Sequence, residues 1–303
     1  MNLSSAPGFD ELFDPVFLDR VNALTLRIAA AQKGGRLADQ RTSARGQGSD
    51  FADFKPYVAG DDLRAIDWNI YRRLGKAFVR VFEERQDLPV YILLDVSRSM
   101  FVETPPRIGP AMRTVLALAA VTLGQQDAVS LMTVSDDMGT AMKNVSGKGG
   151  ITRVAQTLAD QVAQGRSALA GAVARLASMR LRRGLVILVS DFFDDDGLEG
   201  VLAALEMLPH RLLLVQMVRA SDADPTLLPD LDGDVVIEDG ERDGAGMTVT
   251  PELIARYRAA YRDFTDSLDA FARQRGATLV RMDADGDVLD QLVPVLTAGS
   301  VLP

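Results

Sequence analysis

The stretch Tyr91–Met100, YILLDVSRSM, runs four apolar or aromatic residues into Asp95 and then sets Ser97 and Ser99 at alternate positions. A carboxylate and two hydroxyls at the end of a buried strand are hard oxygen donors, which suit magnesium or manganese better than zinc or copper. Fully extended, residues 95 to 99 would span roughly 13 Å. Magnesium ligands must all lie about 2.1 Å from the ion. The chain must therefore curl after Asp95, as a strand-to-helix loop does. The simpler account has Ser97 or Ser99 capping the next helix while Asp95 bonds to backbone. A second buried run, LVILVSDFFDDD, also ends in oxygen donors, Ser190 and Asp191, and it weighs against that account.

Several elements are needed to bring these groups together. From Leu88 onward, strand patterns at 90–95, 129–134, 185–190, 212–218 and 278–282 alternate with helix patterns at 108–124, 151–164, 168–180, 197–207 and 251–274. The first of these helices carries Ile108, Met112, Val115, Leu116, Ala119 and Leu123 on one face. Short, nearly continuous apolar strands between amphipathic helices predict an α/β fold, an open, mostly parallel sheet covered on both faces. Ligands of such sheets sit beyond the carboxyl ends of the strands, near the point where strand order reverses.

Upstream, Asp14 as N-cap and Pro15 at the first helical position open a helix whose apolar stripe is Phe17, Val21, Leu24 and Ile28, stopped by Gly34-Gly35. Residues 36–50 are polar and read as a loop. NIYRRLGKAFVRVFEER reads as two short strands around a Leu74-Gly75-Lys76 turn. Residues 220–250, rich in Asp and Gly, read as a long surface excursion.

Composition narrows the chemistry. A chain of 303 residues, 47% hydrophobic, can bury a full core. It has no cysteine, which excludes disulfides, thiolate metal sites and a cysteine nucleophile. Its single histidine, His210, argues against a multi-histidine zinc site or a catalytic triad. The N-terminus lacks the features of a signal peptide, and no apolar run approaches the roughly 20 residues needed to span a bilayer. The expected location is therefore cytoplasmic. The net charge of -9 is uneven: residues 186–246 hold 15 Asp/Glu against 3 Arg. That field disfavours nucleic acid and suits a metal or a basic protein surface.

Two resemblances rest on these residues. Asp95, Ser97 and Ser99 resemble the metal-ion-dependent adhesion site of von Willebrand factor A domains. That resemblance implies a Rossmann-like fold over roughly residues 88–300. It adds Ser167, in GRSALAGAV, at the family's threonine position, and Asp191 at the end of the fourth strand. The implied cofactor is Mg2+ or Mn2+, held by Asp95, Ser97, Ser99, Ser167 and Asp191. The second resemblance is carried by SDFADFKPYVAGDDLRAIDWNIYRR followed by VFEERQDLPVYILLDVSRSM. It is similar to domain-of-unknown-function family 58, whose signature falls here on Tyr57, Gly60, Asp61, Asp62, Arg64, Ile66, Asp67 and Trp68. This resemblance implies a MoxR-type AAA+ ATPase as partner.

The expected organisation is thus an N-terminal helix and β-hairpin module over residues 1–87, followed by an A-like domain over 88–303. Within the module, the Gly-Asp-Asp turn and Arg64 are expected to form a charged cluster that docks it or meets a partner. Trp68 is expected to be buried, because a large ring profits from burial. SGKGGITR (146–153) lacks phosphate-loop spacing and reads as a polar turn before a helix. Asp194, Asp195 and Asp196 are expected to serve the start of the helix that follows them. His210 reads as structural.

The leading functional expectation is a non-enzymatic adaptor whose bound metal is met by an acidic side chain of the partner. The alternatives are a magnesium-dependent phosphoester hydrolase and a metal-free scaffold. Against the hydrolase stand the absence of an Asp-x-Asp nucleophile, of a phosphate loop and of any candidate base beyond Asp.

Overall fold

The computed structural model describes residues 8–34, 45–83, 88–147, 149–228, 236–237, 247–248 and 250–297. The chain divides into two compact units, one of Met1–Gly34 with Leu88–Pro303 and one of Gly35–Asp87.

The larger unit is built on a six-stranded sheet of β1 (Pro89–Asp95), β2 (Ala128–Val134), β3 (Met138–Val145), β4 (Leu185–Ser190), β5 (Arg211–Val218) and β6 (Thr278–Asp283), in the order β6-β5-β4-β1-β2-β3. All neighbours run parallel except β3, which pairs antiparallel with β2. The period of two along each strand divides the core. Val90, Ile92 and Leu94 join one buried cluster, and Tyr91 and Leu93 join another on the opposite face.

Helices cover both faces. On the first lie α1 (Pro15–Gly34), α2 (Ile108–Gly124) and α3 (Gly150–Ala159), with α7 (Val288–Thr297) at the end of the chain. On the second lie α4 (Leu169–Ser178), α5 (Leu198–Glu206) and α6 (Pro251–Arg275). The expected helices recur with ends shifted by a few residues. The antiparallel β3 was not expected, because its inward positions are widely spaced along MGTAMKNV.

α2 is buried nearly all round, including Ala117, Leu118, Ala120 and Val121 outside the expected stripe. The reason is α1, whose Phe17, Val21, Leu24 and Ile28 are all buried in the same cluster. Each such side chain contributes roughly 1.5–3 kcal/mol on leaving water. Asp14 Oδ1 caps α1 by accepting from the Phe17 N–H at 3.0 Å, as the sequence indicated. The Arg113 guanidinium of α2 donates to the Leu12 carbonyl at 2.7 Å and lies 5.2 Å from the Phe17 ring centroid. Arg20 clamps α1 to the start of α7 through Asp287 and Asp290, at 2.7 and 2.8 Å. The opening helix therefore belongs with the sheet, which differs from the expected division at residue 87.

In the smaller unit, strands Arg45–Pro56 and Phe78–Glu83 pair antiparallel. Strand thus begins inside the stretch expected to be loop, and residues 36–44 lie outside the described ones. Between the strands are a 3-10 turn, Leu63–Ala65, and a helix, Trp68–Leu74. That helix replaces the first strand of the expected hairpin. Asp67 Oδ1 accepts from the Asn69 and Ile70 N–H groups, and Gly75 at φ 64 closes the other end, which a residue with a side chain does poorly.

Of the acidic excursion, the described parts are a turn of helix at Ala220–Ala223, a 3-10 turn at Pro225–Leu227 and a short pairing of Val236–Ile237 with Met247–Thr248.

Candidate metal centre

Strand order reverses at β1, which has β4 on one side and β2 on the other. Asp95 ends β1, and Ser190 ends β4 with Asp191 next to it. Both carboxylates therefore stand at the crevice such folds use for ligands. Asp95 is 0% exposed and Asp191 3% exposed, so this is a buried acidic pair.

Hydrogen bonds to both of its oxygens orient Asp95. Its Oδ1 accepts from the Ser97 N–H at 2.9 Å, and its Oδ2 accepts from the Ser190 hydroxyl at 2.6 Å. The first is the backbone bond of the simpler account, and it curls the chain after the strand. Ser97 and Ser99 hydroxyls then lie 3.0 Å apart. Ser190 Oγ also accepts from the Phe192 N–H at 2.9 Å, so one hydroxyl holds both strand ends.

The third loop, 164–168, is tied to the other two. The Gln164 N–H donates to the Val96 carbonyl at 2.9 Å, and the Arg98 N–H donates to the Gly165 carbonyl at 3.2 Å. Asp194 Oδ2 accepts from the N–H groups of Leu169 and Ala170 at 2.5 and 3.3 Å. Asp194 thus serves the start of α4, not of the helix that follows it as expected. Gly165 has φ 38, and a Cβ there would meet Asp136 Oδ2 at 2.0 Å. Only a glycine lets the Asp136 carboxylate reach in and accept from the Arg166 N–H at 2.7 Å. Ser167, carried by this loop, is buried, and its hydroxyl has no hydrogen-bond partner among the described residues.

Burial first, and the charge of Asp95 second, push the Asp191 carboxyl well above the usual carboxylate range. The positive charge of Arg107 opposes that shift. Arg107 is itself buried and forms a bidentate pair with Asp222 at 3.0 and 2.8 Å. It also bonds Glu103 at 3.0 and 2.6 Å. Phe192 takes φ 66 with its ring fully buried, a left-handed conformation that costs a non-glycine residue about 1–2 kcal/mol. It turns Phe193 outward to stack on Phe264 of α6, with ring centroids 5.0 Å apart.

The structure brings the loops bearing Asp95, Ser97, Ser99, Ser167 and Asp191 together at one end of the sheet. Sequence reasoning named Ser190 as an oxygen donor but left it, with Asp194 and Arg107, out of the metal-holding set. Adjacency to Asp191 was the signal for Ser190, and a lone arginine opening an apolar helix was the signal for Arg107. Among the described residues, no group of three or more His, Cys, Asp or Glu side chains is placed to hold a metal ion. A set of two carboxylates and three serines lies outside that description.

The signature residues lie in the smaller unit. Asp61 Oδ2 accepts from the Val58 N–H at 3.0 Å, while Oδ1 pairs with Lys55 at 2.6 Å. The lysine bond first, and the backbone bond second, hold the Asp61 carboxyl below its ordinary range. Asp62 caps the 3-10 turn through the Arg64 N–H at 2.9 Å. Tyr57 is half-buried, Gly60 and Arg64 are exposed, and Trp68 is 58% exposed, which corrects the expectation of a buried ring.

Fold and strand-end chemistry together define a mixed α/β protein, with a mostly parallel six-stranded sheet flanked by helices and a carboxylate-hydroxyl centre at its switch point. The chain belongs to the family described as Protein of unknown function DUF58, which matches residues 53–267. An uncharacterised protein of Mycobacterium tuberculosis is 26% identical over 294 residues, covering 93% of this chain and 90% of its own. One from Mycobacterium bovis matches equally. Two solved structures are similar over 70% of this chain and 98% of their own. They are the conserved hypothetical protein BatB from Bacteroides thetaiotaomicron, at 16% identity and TM-score 0.43, and an aerotolerance-related membrane protein from Bacteroides fragilis, at 15% and 0.47.

Proposed function

We propose that this chain is a non-enzymatic, metal-dependent interaction module of the von Willebrand factor A kind. In this reading Mg2+ or Mn2+ is held by Asp95, Ser97, Ser99, Ser167 and Asp191. The module serves as adaptor for a MoxR-type AAA+ ATPase in chaperone-like assembly or activation of client proteins. The observation that carries the reading is the buried Ser167 hydroxyl, without a hydrogen-bond partner among the described residues, on a loop bonded to both acidic strand ends. An unpaired buried hydroxyl costs about 1–3 kcal/mol, and two buried carboxylates repel each other. Both costs are relieved by a hard cation, so the residues fit one.

When bound, such an ion supplies residual positive charge and a coordination position for a partner's acidic side chain. The chain's own residues do the rest. Ser190 aims the Asp95 carboxylate, Asp194 fixes the Ser167 loop, and Arg107 offsets the negative field behind Asp191.

One observation favours a metal-free scaffold instead. Both Asp95 oxygens already accept hydrogen bonds, and the Ser97 and Ser99 hydroxyls lie within bonding distance. Thermal melts separate the readings. A ligand of the native state adds RT ln(1 + [L]/Kd), about 2.7 kcal/mol at a hundredfold excess over Kd. Millimolar magnesium is expected to raise the melting temperature above that in EDTA, and Asp95→Ala to remove the difference. Identical melts for the wild type would establish the scaffold. Turnover of generic phosphoesters with magnesium would replace the adaptor reading with a hydrolase.

A further inference from the structure

Successive residues of a strand alternate between faces, so Leu212, Leu214, Gln216 and Val218 form one row of β5, and Leu279, Arg281 and Asp283 form one row of β6. Both rows begin apolar, in the cluster that also holds Leu268 and Phe271 of α6. Toward the carboxyl ends of the strands they turn polar, and a cavity of about 420 Å³ lies between them and α6. Packing alone would be served by apolar residues continuing each row. Instead Gln216, 1% exposed, accepts from the Arg281 Nε–H at 3.0 Å. The helix contributes Tyr261, Thr265 and Asp269, which share one side of it at four-residue spacing.

Gln216 thus holds the Arg281 guanidinium, whose Nη2 lies 3.1 Å from Asp269 Oδ1 and 3.4 Å from the Thr265 carbonyl. Arg219 also lines the cavity but is committed to Glu103, Asp285 and the Pro105 carbonyl. Asp283 Oδ1 accepts from the Asp285 N–H at 3.0 Å. Among the described residues, Arg281 Nη1, the Tyr261 hydroxyl, Asp269 Oδ2 and Asp283 Oδ2 have no hydrogen-bond partner. Val218, Ala220 and Ala223 give the cavity an apolar side. Its two arginines and two aspartates leave it without net charge of its own.

We propose that this cavity binds an uncharged sugar, a free mono- or disaccharide. Small-ligand cavities run from about 300 to 1,000 Å³, with a few placed polar groups among apolar walls. Balanced arginines and aspartates offer an ion no net attraction. A guanidinium donor beside carboxylate acceptors suits hydroxyls, each of which both donates and accepts. The tyrosine ring and the small aliphatic side chains suit the C–H groups of the same molecule. The position is also one that open α/β sheets use for ligands, beyond the carboxyl ends of strands. It lies toward the β6 edge of the sheet, away from Asp95 on β1.

The full-length protein is tested in EDTA, so the outcome is independent of the metal centre. Saturation-transfer NMR is run with glucose, galactose, N-acetylglucosamine and maltose in turn. The expected result is transfer to the C–H protons of at least one of these sugars. Asp283→Asn replaces a charged acceptor by a neutral one and should weaken that binding about tenfold. Arg281→Ala should weaken it at least as much, with the melting temperature as control for folding. Because Asp283 is exposed, its variant decides the matter if Arg281→Ala does not fold. Transfer to none of the four sugars overturns the proposal. Binding unchanged by the substitutions places the sugar elsewhere and overturns it too. Displacement of the sugar by inorganic phosphate or by putrescine would make the cavity an ion site, which is equally contrary to the proposal.

Discussion

His210 is the only histidine, and its ring is buried against Tyr91 with centroids 5.4 Å apart. Its Nδ1 accepts from the Gly184 N–H at 3.2 Å, which requires the neutral ring. Burial first, and Arg183 second, hold its pKa below the ordinary value. The unfolded chain therefore takes the proton first, and stability is expected to fall as pH drops from about 6.5 through the lower folded value. A single imidazole signal makes the proton NMR titration unambiguous, and a midpoint at or above 6.5 would contradict this. At this scale the sequence was readable where residue type was abrupt. Asp95 and Asp191 interrupt apolar runs and announce themselves. Arg107 did not, because its partner Asp222 lies 115 residues away. Trp68 was misread because ring size argues for burial only when an apolar surface is there to receive it.

Among elements, the least expected link is the one from Asp194 to α4. The side chain holds the first N–H groups of a helix that precedes it in sequence, and it thereby fixes the loop carrying Ser167. Asp194→Ala is expected to cost about 1–2 kcal/mol in urea denaturation, as a lost cap does. It should also shrink the magnesium-dependent melting shift, while Asp196→Ala leaves that shift intact. The parallel strands were legible because burial on both faces gives continuous apolar runs. The helix Trp68–Leu74 was not, because seven residues span about two turns and its aromatic content mimics strand. Asp67 before it and Gly75 after it were the start and stop signals that outweighed composition.

For the larger unit, the question is what the opening helix contributes. α1 covers α2, and the Gly124 backbone approaches Thr25 so closely that a Cβ would meet Thr25 Cγ2 at 2.3 Å. Phe17→Ala is accordingly expected to lower stability by about 3–5 kcal/mol. Circular dichroism should show α1 melting in the same urea transition as the sheet. Two transitions, with helix lost first, would mean that α1 is an appendage. The parallel sheet and its layers followed from strand and helix alternation. The grouping of Met1–Gly34 with it did not, because a stripe such as Phe17, Val21, Leu24 and Ile28 says that a helix is covered without saying by what.

The bond from Ser190 to Asp95 joins residues 95 positions apart. During synthesis at roughly 5–20 residues per second, Pro89–Asp95 leaves the ribosome about 5–20 s before the strand that pairs on its inner side. Through that interval the edge that will pair with Leu185–Ser190 is open to other chains. The oxygen-donor cluster is therefore one of the later parts of the molecule to be assembled, and a chain released before Ser190 can hold neither its second acidic strand end nor its central strand in place.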